Sequence, residues 1–327
     1  MSTAIRRGRV FVRAAVAFGG IVLASGAGAH HSFSVFDRER SQEALDRVDL
    51  EADLRAGIER DELVVHYQPI VALGAEHVVG FEALVRWQHP VRGLIPPAAF
   101  IPLAEETDLI VPLGRTVLRE ACRQAKRWRD AWPDSGLVMS VNLSPRQFTD
   151  PELVTTVARA LRETGLDPRA LELEITESTV MDRSEAGVAV LRALRNLGLR
   201  IVLDDFGTGY SSLAYLRHLP LDTIKIDRAF VTDLDLDDPN VAIVRAVLSL
   251  AHGLGITVVA EGIETASQAR RLRALGCDMG QGYAWARPDS PDAIELMLAN
   301  GVLPPVSEPE RPARRVTRLR ALATPAG

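Results

Sequence analysis

Short apolar runs rich in Val, Ile and Leu alternate along most of the chain with longer stretches of helical period. The runs that predict strands are Leu63 to Ile70, Val78 to Val85, Leu137 to Leu143, Leu171 to Ile175, Ile201 to Leu203, Thr223 to Ile226, Thr257 to Ala260 and a weaker one near Asp278 to Tyr283. Between them, apolar residues recur mostly at threes and fours over Pro112 to Trp128, Pro151 to Glu163, Glu185 to Leu197, Val241 to Leu254 and Ala266 to Leu275, which predicts helices. Eight strands alternating with helices over roughly 250 residues is the size of a (β/α)8, TIM-like barrel. No helical stretch separates the first two strands, so the pattern predicts a hairpin there and a barrel that is irregular at its start.

The flanks break this rhythm. Leu45, Val48, Leu50, Leu54 and Ile58 give Phe36 to Glu62 the period of a lead-in helix. Ahead of it, Arg6, Arg7, Arg9 and Arg13 precede an apolar run from Ala14 to Ala29, with Ala27 and Ala29 spaced like a signal-peptidase site. That run is 16 residues long and contains Gly19, Gly20, Gly26 and Gly28, short of the ~20 residues of a membrane span. A signal-peptide mimic, a membrane-associating segment and a remnant of an upstream domain are the readings open here, the remnant being preferred. Leu303 to Gly327 carries five prolines and five arginines without apolar period and is expected to be a disordered tail. The expected organisation is an N-terminal segment over 1–49, a barrel over 50–300 and a tail over 301–327.

Composition narrows the partners. The 327 residues include 38 Lys or Arg against 43 Asp or Glu, a formal net charge of −5. That argues against a duplex nucleic-acid binder, which needs surplus cations to displace counterions from phosphates. The content of 47% hydrophobic and 25% charged residues excludes disorder for the bulk of the chain. Cys122 and Cys277 are too few and too far apart for a disulfide framework or a thiolate zinc site. His89, His218 and His252 stand at no metal spacing and read as core or surface groups.

In such a barrel the chemistry sits at the carboxyl ends of the strands. The eight runs deliver, in order, Gln68, Glu82, Asn142, Glu174, the pair Asp204 and Asp205, Lys225, Glu261 and Gln281. Five carboxylates at one mouth repel each other unless cations neutralise them. With oxygen donors and no suitable His or Cys nearby, Mg²⁺ or Mn²⁺ is favoured over zinc. Consecutive strand residues alternate in direction, but the pair Asp204 and Asp205, expected just past the strand end, can turn to the mouth together and serve two ions. Two ions roughly 4 Å apart form a clamp for phosphoryl transfer and activate an attacking water. Phosphodiester hydrolysis is therefore the leading reaction class. Only two of the 38 cations are lysines, Lys126 and Lys225. A lysine inside a strand of this arginine-using chain points to a compact charge needed for a phosphate oxygen or the reacting water. Gly207 and Gly209 in Asp205 to Leu213 permit a tight turn beside the acidic pair, with a gating role expected.

Eight motifs in order, spanning roughly Leu50 to Met297, resemble the EAL-domain family of cyclic-di-GMP phosphodiesterases. They are Tyr-Gln-Pro-Ile at 67–70, Glu-Ala-Leu-Val-Arg-Trp at 82–87, Asn-Leu-Ser at 142–144, Glu-Ile-Thr-Glu at 174–177, Asp-Asp-Phe-Gly-Thr-Gly-Tyr-Ser-Ser at 204–212, Lys-Ile-Asp at 225–227, Glu-Gly-Ile-Glu-Thr at 261–265 and Gln-Gly-Tyr at 281–283. The resemblance implies Glu82, Asn142, Glu174 and Asp204 as ligands of one metal ion, with Asp204 shared and Asp205 serving a second. It implies Glu261 as a metal ligand or as the general base, leaving that choice open, and Lys225 as the group holding the water or a phosphate oxygen. Gln68, Arg86 and Gln281 would contact the dinucleotide. Glu177 would anchor the Asp205 to Leu213 loop, which in this family links substrate binding to dimer contacts, so a homodimer is implied. The implied product is linear 5'-pGpG.

No departure occurs at these positions. Gly26 to Asp37 looks like the end of a diguanylate-cyclase-like domain, yet no Gly-Gly-Asp-Glu-Phe motif is present and synthesis is not expected. The upstream sensory or cyclase partner is not named by the sequence. Because the substrate is a cytoplasmic signal, the first 31 residues are read as non-exported and the chain as cytoplasmic. Two alternatives stand beside the hydrolase: a catalytically silent cyclic-di-GMP receptor acting through dimer rearrangement, and a barrel lyase using Lys225 as a Schiff-base nucleophile.

Overall fold

Two long strands, β1 (Leu63–Ala72) and β2 (His77–His89), open the fold as an antiparallel hairpin. The turn between them, Leu73 to Glu76, is too short for a crossover helix, so the chain must reverse and β1 runs against the rest of the sheet. From β2 onward the strands pair in parallel: β4 (Val138–Asn142), β5 (Leu171–Thr176), β6 (Arg200–Phe206), β7 (Thr223–Ile226), β8 (Thr257–Ala260) and β9 (Met279–Gln281). β1 then pairs antiparallel with β9 and closes an eight-stranded (β/α)8-type barrel. A ninth strand not foreseen in the sequence, β3 (Gly93–Ile95), pairs with the far end of β2 outside the closed ring. β2 is longer than predicted for the same reason: beyond Val85 it leaves the barrel and continues as the arm that meets β3.

The computed structural model describes residues 47–181, 184–207, 216–232, 234 and 239–300. The chain divides between Val48 and Asp49, and all that follows concerns the unit from Asp49 onward. The readings made for residues 1–31, for the tail from Leu303 and for Thr208 to Leu213 lie outside the described residues. Among the described residues no helix is long and apolar enough to cross a membrane.

Helices cover the barrel as the apolar period demands. α1 is helical over 49–59. α2 (Pro97–Glu106) leads into α3 (Ile110–Ala131), which buries Leu113, Val117, Leu118, Ala121, Ala125 and Trp128 along one stripe. Trp128 meets Tyr67 edge-on at 4.9 Å and Phe81 at 4.8 Å between ring centroids. These aromatic contacts lock the hairpin against α3, so the outward face of β1 is fixed and its inward face, with Gln68, points into the barrel. Further round lie α4 (Pro145–Phe148), α5 (Leu153–Thr164), α6 (Glu177–Met181), α7 (Ser184–Asn196), α8 (Pro239–Gly253), α9 (Ala266–Leu275) and α10 (Pro291–Asn300). α9 starts where sequence predicts because Thr265 and Gln268 form a capping box, and ends on Gly276 in the left-handed region at φ 89°.

Candidate active site

The sequence reading brings a polar or acidic group from nearly every strand to one rim, and the structure distributes them over two depths. Gln68 and Glu82 face each other in mid-strand, because the hairpin extends past the rim. Asn142 and Gln281 end β4 and β9, Glu174 lies two residues inside the end of β5, and Glu261 follows β8.

The pair Asp204 and Asp205 corrects the expectation most clearly. It does not lie beyond the strand, since β6 continues to Phe206. Leu203 pairs with Ile224 and Phe206 with Ile226, so three steps on β6 match two on β7 and one residue bulges out. Asp205 takes up the excess at φ 55°, a left-handed conformation that Asp tolerates better than most residues. The bulge cancels strand alternation and lets both carboxylates face the mouth. Carboxylate oxygens of Asp204, Asp205 and Glu261 all lie within 4.8 Å of one another.

Lys225 is the hub. Its ammonium is 2.6 Å from Glu261, 2.8 Å from Glu174, 3.4 Å from Glu82 and 3.7 Å from Asp204. The residue is 1% exposed. Burial alone would drive the lysine pKa down, but Glu174, Glu261, Glu82 and Asp204 outweigh it and hold the ammonium well above its ordinary range. An amine held in its protonated form is a poor nucleophile, which speaks against the Schiff-base reading.

Glu82 is surrounded by donors. Asn142 Nδ2 donates to its Oε1 at 2.6 Å and Gln281 Nε2 to its Oε2 at 2.6 Å. Burial pushes this carboxyl up, yet Lys225 and those two amides prevail and keep it below its usual value. Glu174 behaves oppositely: burial, then the proximity of Glu82, raises it well above the carboxylate range despite Lys225. Glu261 is pushed up to about 7 by burial and by Asp204 and Glu82, against Lys225. Asp205 is raised by burial and by Asp204. One ammonium thus faces five carboxylates, and those of Glu174, Glu261 and Asp205 are held above their ordinary range because positive charge is lacking.

That shortage is the test of fit for divalent ions. The donors are carboxylates and one amide oxygen, the set preferred by hard cations. Glu174 Oε1 is buried and accepts no hydrogen bond, an acceptor left facing nothing that donates. The residues fit a hard divalent cation.

The remaining predicted residues take distinct places. Gln68 is buried, accepts from Gln281 Nε2 at 3.1 Å and donates to the Ala286 carbonyl at 3.1 Å. Arg86 donates to the Val85 carbonyl at 2.8 Å and lies within electrostatic reach of Tyr283 and Glu82. Glu177 is buried, and its Oε2 accepts from the Gly207 backbone at 3.3 Å, at the start of the glycine-containing segment. His89 bonds Asp53 and two backbone amides, and His252 bonds Asp278, so both are structural as the sequence indicates.

Two features escaped sequence reading. Gln268 accepts from the Glu264 and Thr265 amides and donates to the carbonyls of Val231 and Thr232, pinning the segment after Glu261. Its signal was the capping box, which reads as a helix start only. Arg287 lies over the Tyr283 ring at 4.1 Å, at the rim beyond Gln281. The spacing of four between the two residues was the available clue.

The comparisons agree with this geometry. The family description "EAL domain" matches residues 51–288. The bifunctional diguanylate cyclase/cyclic di-GMP phosphodiesterase MucR of Pseudomonas aeruginosa is 44% identical over 258 residues, covering 79% of this chain and 38% of that protein. The cyclic di-GMP phosphodiesterase PdeR of Escherichia coli is 40% identical over 268 residues, covering 82% of this chain and 40% of that protein. The chain therefore spans only about two fifths of the length of these relatives. Among solved structures, the PaMucR phosphodiesterase in complex with c-di-GMP aligns at a TM-score of 0.72 with 46% identity, over 75% of this chain and 99% of that one. The EAL domain of Mycobacterium smegmatis DcpA aligns at 0.64 with 39% identity, over 74% and 100%.

Proposed function

The chain belongs to the EAL-domain family, and from that premise we propose that it hydrolyses cyclic-di-GMP to linear 5'-pGpG. The observation that carries this reading is the convergence of Glu82, Asn142, Glu174, Asp204, Asp205 and Glu261 around buried Lys225. The names of MucR and PdeR, and the dinucleotide bound to the 46% identical PaMucR domain, supply the substrate. A silent receptor would be expected to lack part of this set, and no part is missing.

Glu82, Asn142, Glu174 and Asp204 would hold one divalent ion, and Asp204, Asp205 and Glu261 a second, as Mg²⁺ or Mn²⁺. When bound, two such ions neutralise charge on the phosphoryl oxygens and activate the attacking water. Glu261, held 2.6 Å from the Lys225 ammonium, takes the water proton. The water oxygen bonds to phosphorus, the bond from phosphorus to O3' breaks, the leaving oxygen takes a proton from solvent to become a hydroxyl, and Glu261 returns its proton to solvent. Lys225 keeps Glu174 and Glu261 in register and presents positive charge to the phosphate.

Gln281 and Arg86 contact the dinucleotide at the rim, while Gln68, deeper, orients Gln281 through their amide hydrogen bond. Glu177 tethers the glycine segment at Gly207, coupling the site to a homodimer contact. The chain acts in the cytoplasm, where this signal circulates. Turnover of cyclic-di-GMP by the purified chain with Mg²⁺ or Mn²⁺ tests the proposal. Intact substrate after incubation of folded protein with either ion would refute it.

A further inference from the structure

The barrel has a second opening, at the amino ends of its strands, and its chemistry is the inverse of the mouth. A cavity of about 510 Å³ lies there, lined among others by Arg195, Arg200, Arg217 and Asp222. Arg200, Thr223, Thr257 and Met279, also in the lining, are the first residues of β6, β7, β8 and β9. The same four strands present Asp204, Lys225, Glu261 and Gln281 toward the other end. At ~3.3 Å per residue, Arg200 and Asp204 lie roughly 13 Å apart along β6.

Three guanidinium groups therefore meet one carboxylate in the wall of an acidic protein. Both oxygens of that carboxylate are already engaged. Asp222 Oδ1 accepts from Arg195 at 2.8 Å and its Oδ2 accepts from the Ile201 amide at 3.0 Å. Arg200 uses Nη1 on Glu172, a buried side chain also bonded to Ser140, and keeps its other donors free of that contact. Arg217 is exposed and, among the described residues, has no ion-pair or hydrogen-bond partner. Guanidinium groups with unused N–H donors, converging on a concave space, bind oxyanions through paired, charge-assisted hydrogen bonds. The volume lies within the range of small-molecule sites.

We propose that this cavity is a binding site for a small, multiply charged oxyanion, separate from the catalytic mouth and built on Arg195, Arg200 and Arg217. Leu216, Leu219, Leu221 and Ile256 also line the cavity. Phosphoryl and carboxyl groups share the required chemistry, and the probes below separate them.

The test is calorimetric titration of the full chain, stripped of divalent ions on a chelating resin, with pyrophosphate and, separately, with citrate. Stripping the ions leaves the mouth with its uncompensated carboxylates and no attraction for anions. The expected result is saturable binding of one anion per chain, preferring one probe, weakened at least tenfold in Arg217→Glu and unchanged in Glu82→Gln. Metal-dependent turnover by Arg217→Glu should match the parent chain, which shows that the variant is folded. Arg195→Gln serves as a second variant and should weaken binding in the same direction. The proposal is overturned by the absence of saturable binding of either probe, by equal affinity in Arg217→Glu and parent, or by displacement of the anion with cyclic-di-GMP.

Discussion

The Lys225 ammonium stands 2.6 Å from a Glu261 carboxylate oxygen, and this pair sets the protonation of the whole acidic cluster. Removing the ammonium leaves buried carboxylates facing one another. Lys225→Met is expected to cost about 3 kcal/mol in EDTA at pH 8, in line with breaking a buried pair from one side. At pH 5 the loss should be smaller, since protonation relieves the repulsion. Turnover should fall about 100-fold or more, the scale seen when one group stabilising transition-state charge is removed. Lys225→Arg should fail as well, because a planar guanidinium cannot occupy a point between four carboxylates. Urea melts in EDTA, with turnover assayed beside them, check this; a Lys225→Met protein as stable as the parent at pH 8 contradicts it.

Metal-free stability should fall as pH rises. Glu261 is pushed up to about 7 by burial and neighbouring carboxylates, and Glu174 and Asp205 are also raised, against about 4.3 for an unfolded Glu. A group raised on folding contributes stability that is fully present below its unfolded pKa and lost as pH climbs through the folded one. Without metal, Tm should therefore drop between pH 5 and 8, with the Glu261 share lost around pH 7. Mn²⁺ competes with those protons, so the rise in Tm on adding it should grow from pH 6 to 8. Thermal melts with EDTA or Mn²⁺ across this range decide it. A pH-independent Mn²⁺ effect would show that the ion does not displace a proton from these groups.

The Asp205 bulge separates backbone from charge. Asp205→Asn keeps a side chain that tolerates φ near 55°, so the fold should persist while the second ion loses a ligand. Asp205→Gly should be at least as stable as the parent, because it relieves left-handed strain of roughly 1 kcal/mol, and yet be as inactive as Asp205→Asn. Asp205→Val should lose both stability and activity. Comparing Tm and kcat for the three variants tests whether the bulge serves to aim this carboxylate. Equal activity in the Asn variant and the parent would remove Asp205 from the site.

Much of this was legible in the sequence, and the reasons are physical. Strand existence and order followed from apolar runs, and Thr223–Ile226 and Thr257–Ala260 were read to their ends because charged or turn residues bound them. The hairpin followed from a link too short for a helix. The gathering of Glu82, Glu174, Asp204 and Glu261 around Lys225 was readable because each stands in or at the end of an apolar run that leads to the same rim. The bulge was not readable: no residue type encodes it, and it exists only through the pairing of Leu203 and Phe206 with β7. β3 was missed because three residues carry no period. The continuation of β2 through Arg86, Gln88 and His89 was masked by polar residues on a strand that leaves the barrel. The basic cavity escaped because Arg195 lies on α7, Arg200 at the start of β6 and Arg217 between β6 and β7, so no single period marks them.

Gly282 tests how tightly the end of β9 holds the mouth. A Cβ at this position would lie 2.1 Å from the Ile263 carbonyl oxygen and 2.4 Å from its nitrogen, contacts that only backbone movement can relieve. The flanking hydrogen bonds, from the Ile263 amide to the Gln281 carbonyl at 3.1 Å and from the Ala284 amide to the Ile263 carbonyl at 2.9 Å, tie the segment after Glu261 to β9. Gly282→Ala must push these strands apart, displacing Gln281 on one side and Glu261 on the other. The expected cost is about 1–3 kcal/mol, the usual range for overpacking, with turnover falling more steeply than stability because Gln281 Nε2 holds Glu82 at 2.6 Å. Gly253→Ala is the control, since nothing lies within 4 Å of a Cβ there, and as a helical position it should gain up to roughly 1 kcal/mol. Urea midpoints and kcat for the two variants give the comparison. A Gly282→Ala protein that keeps parent-level turnover would mean that the mouth tolerates separation of β8 and β9.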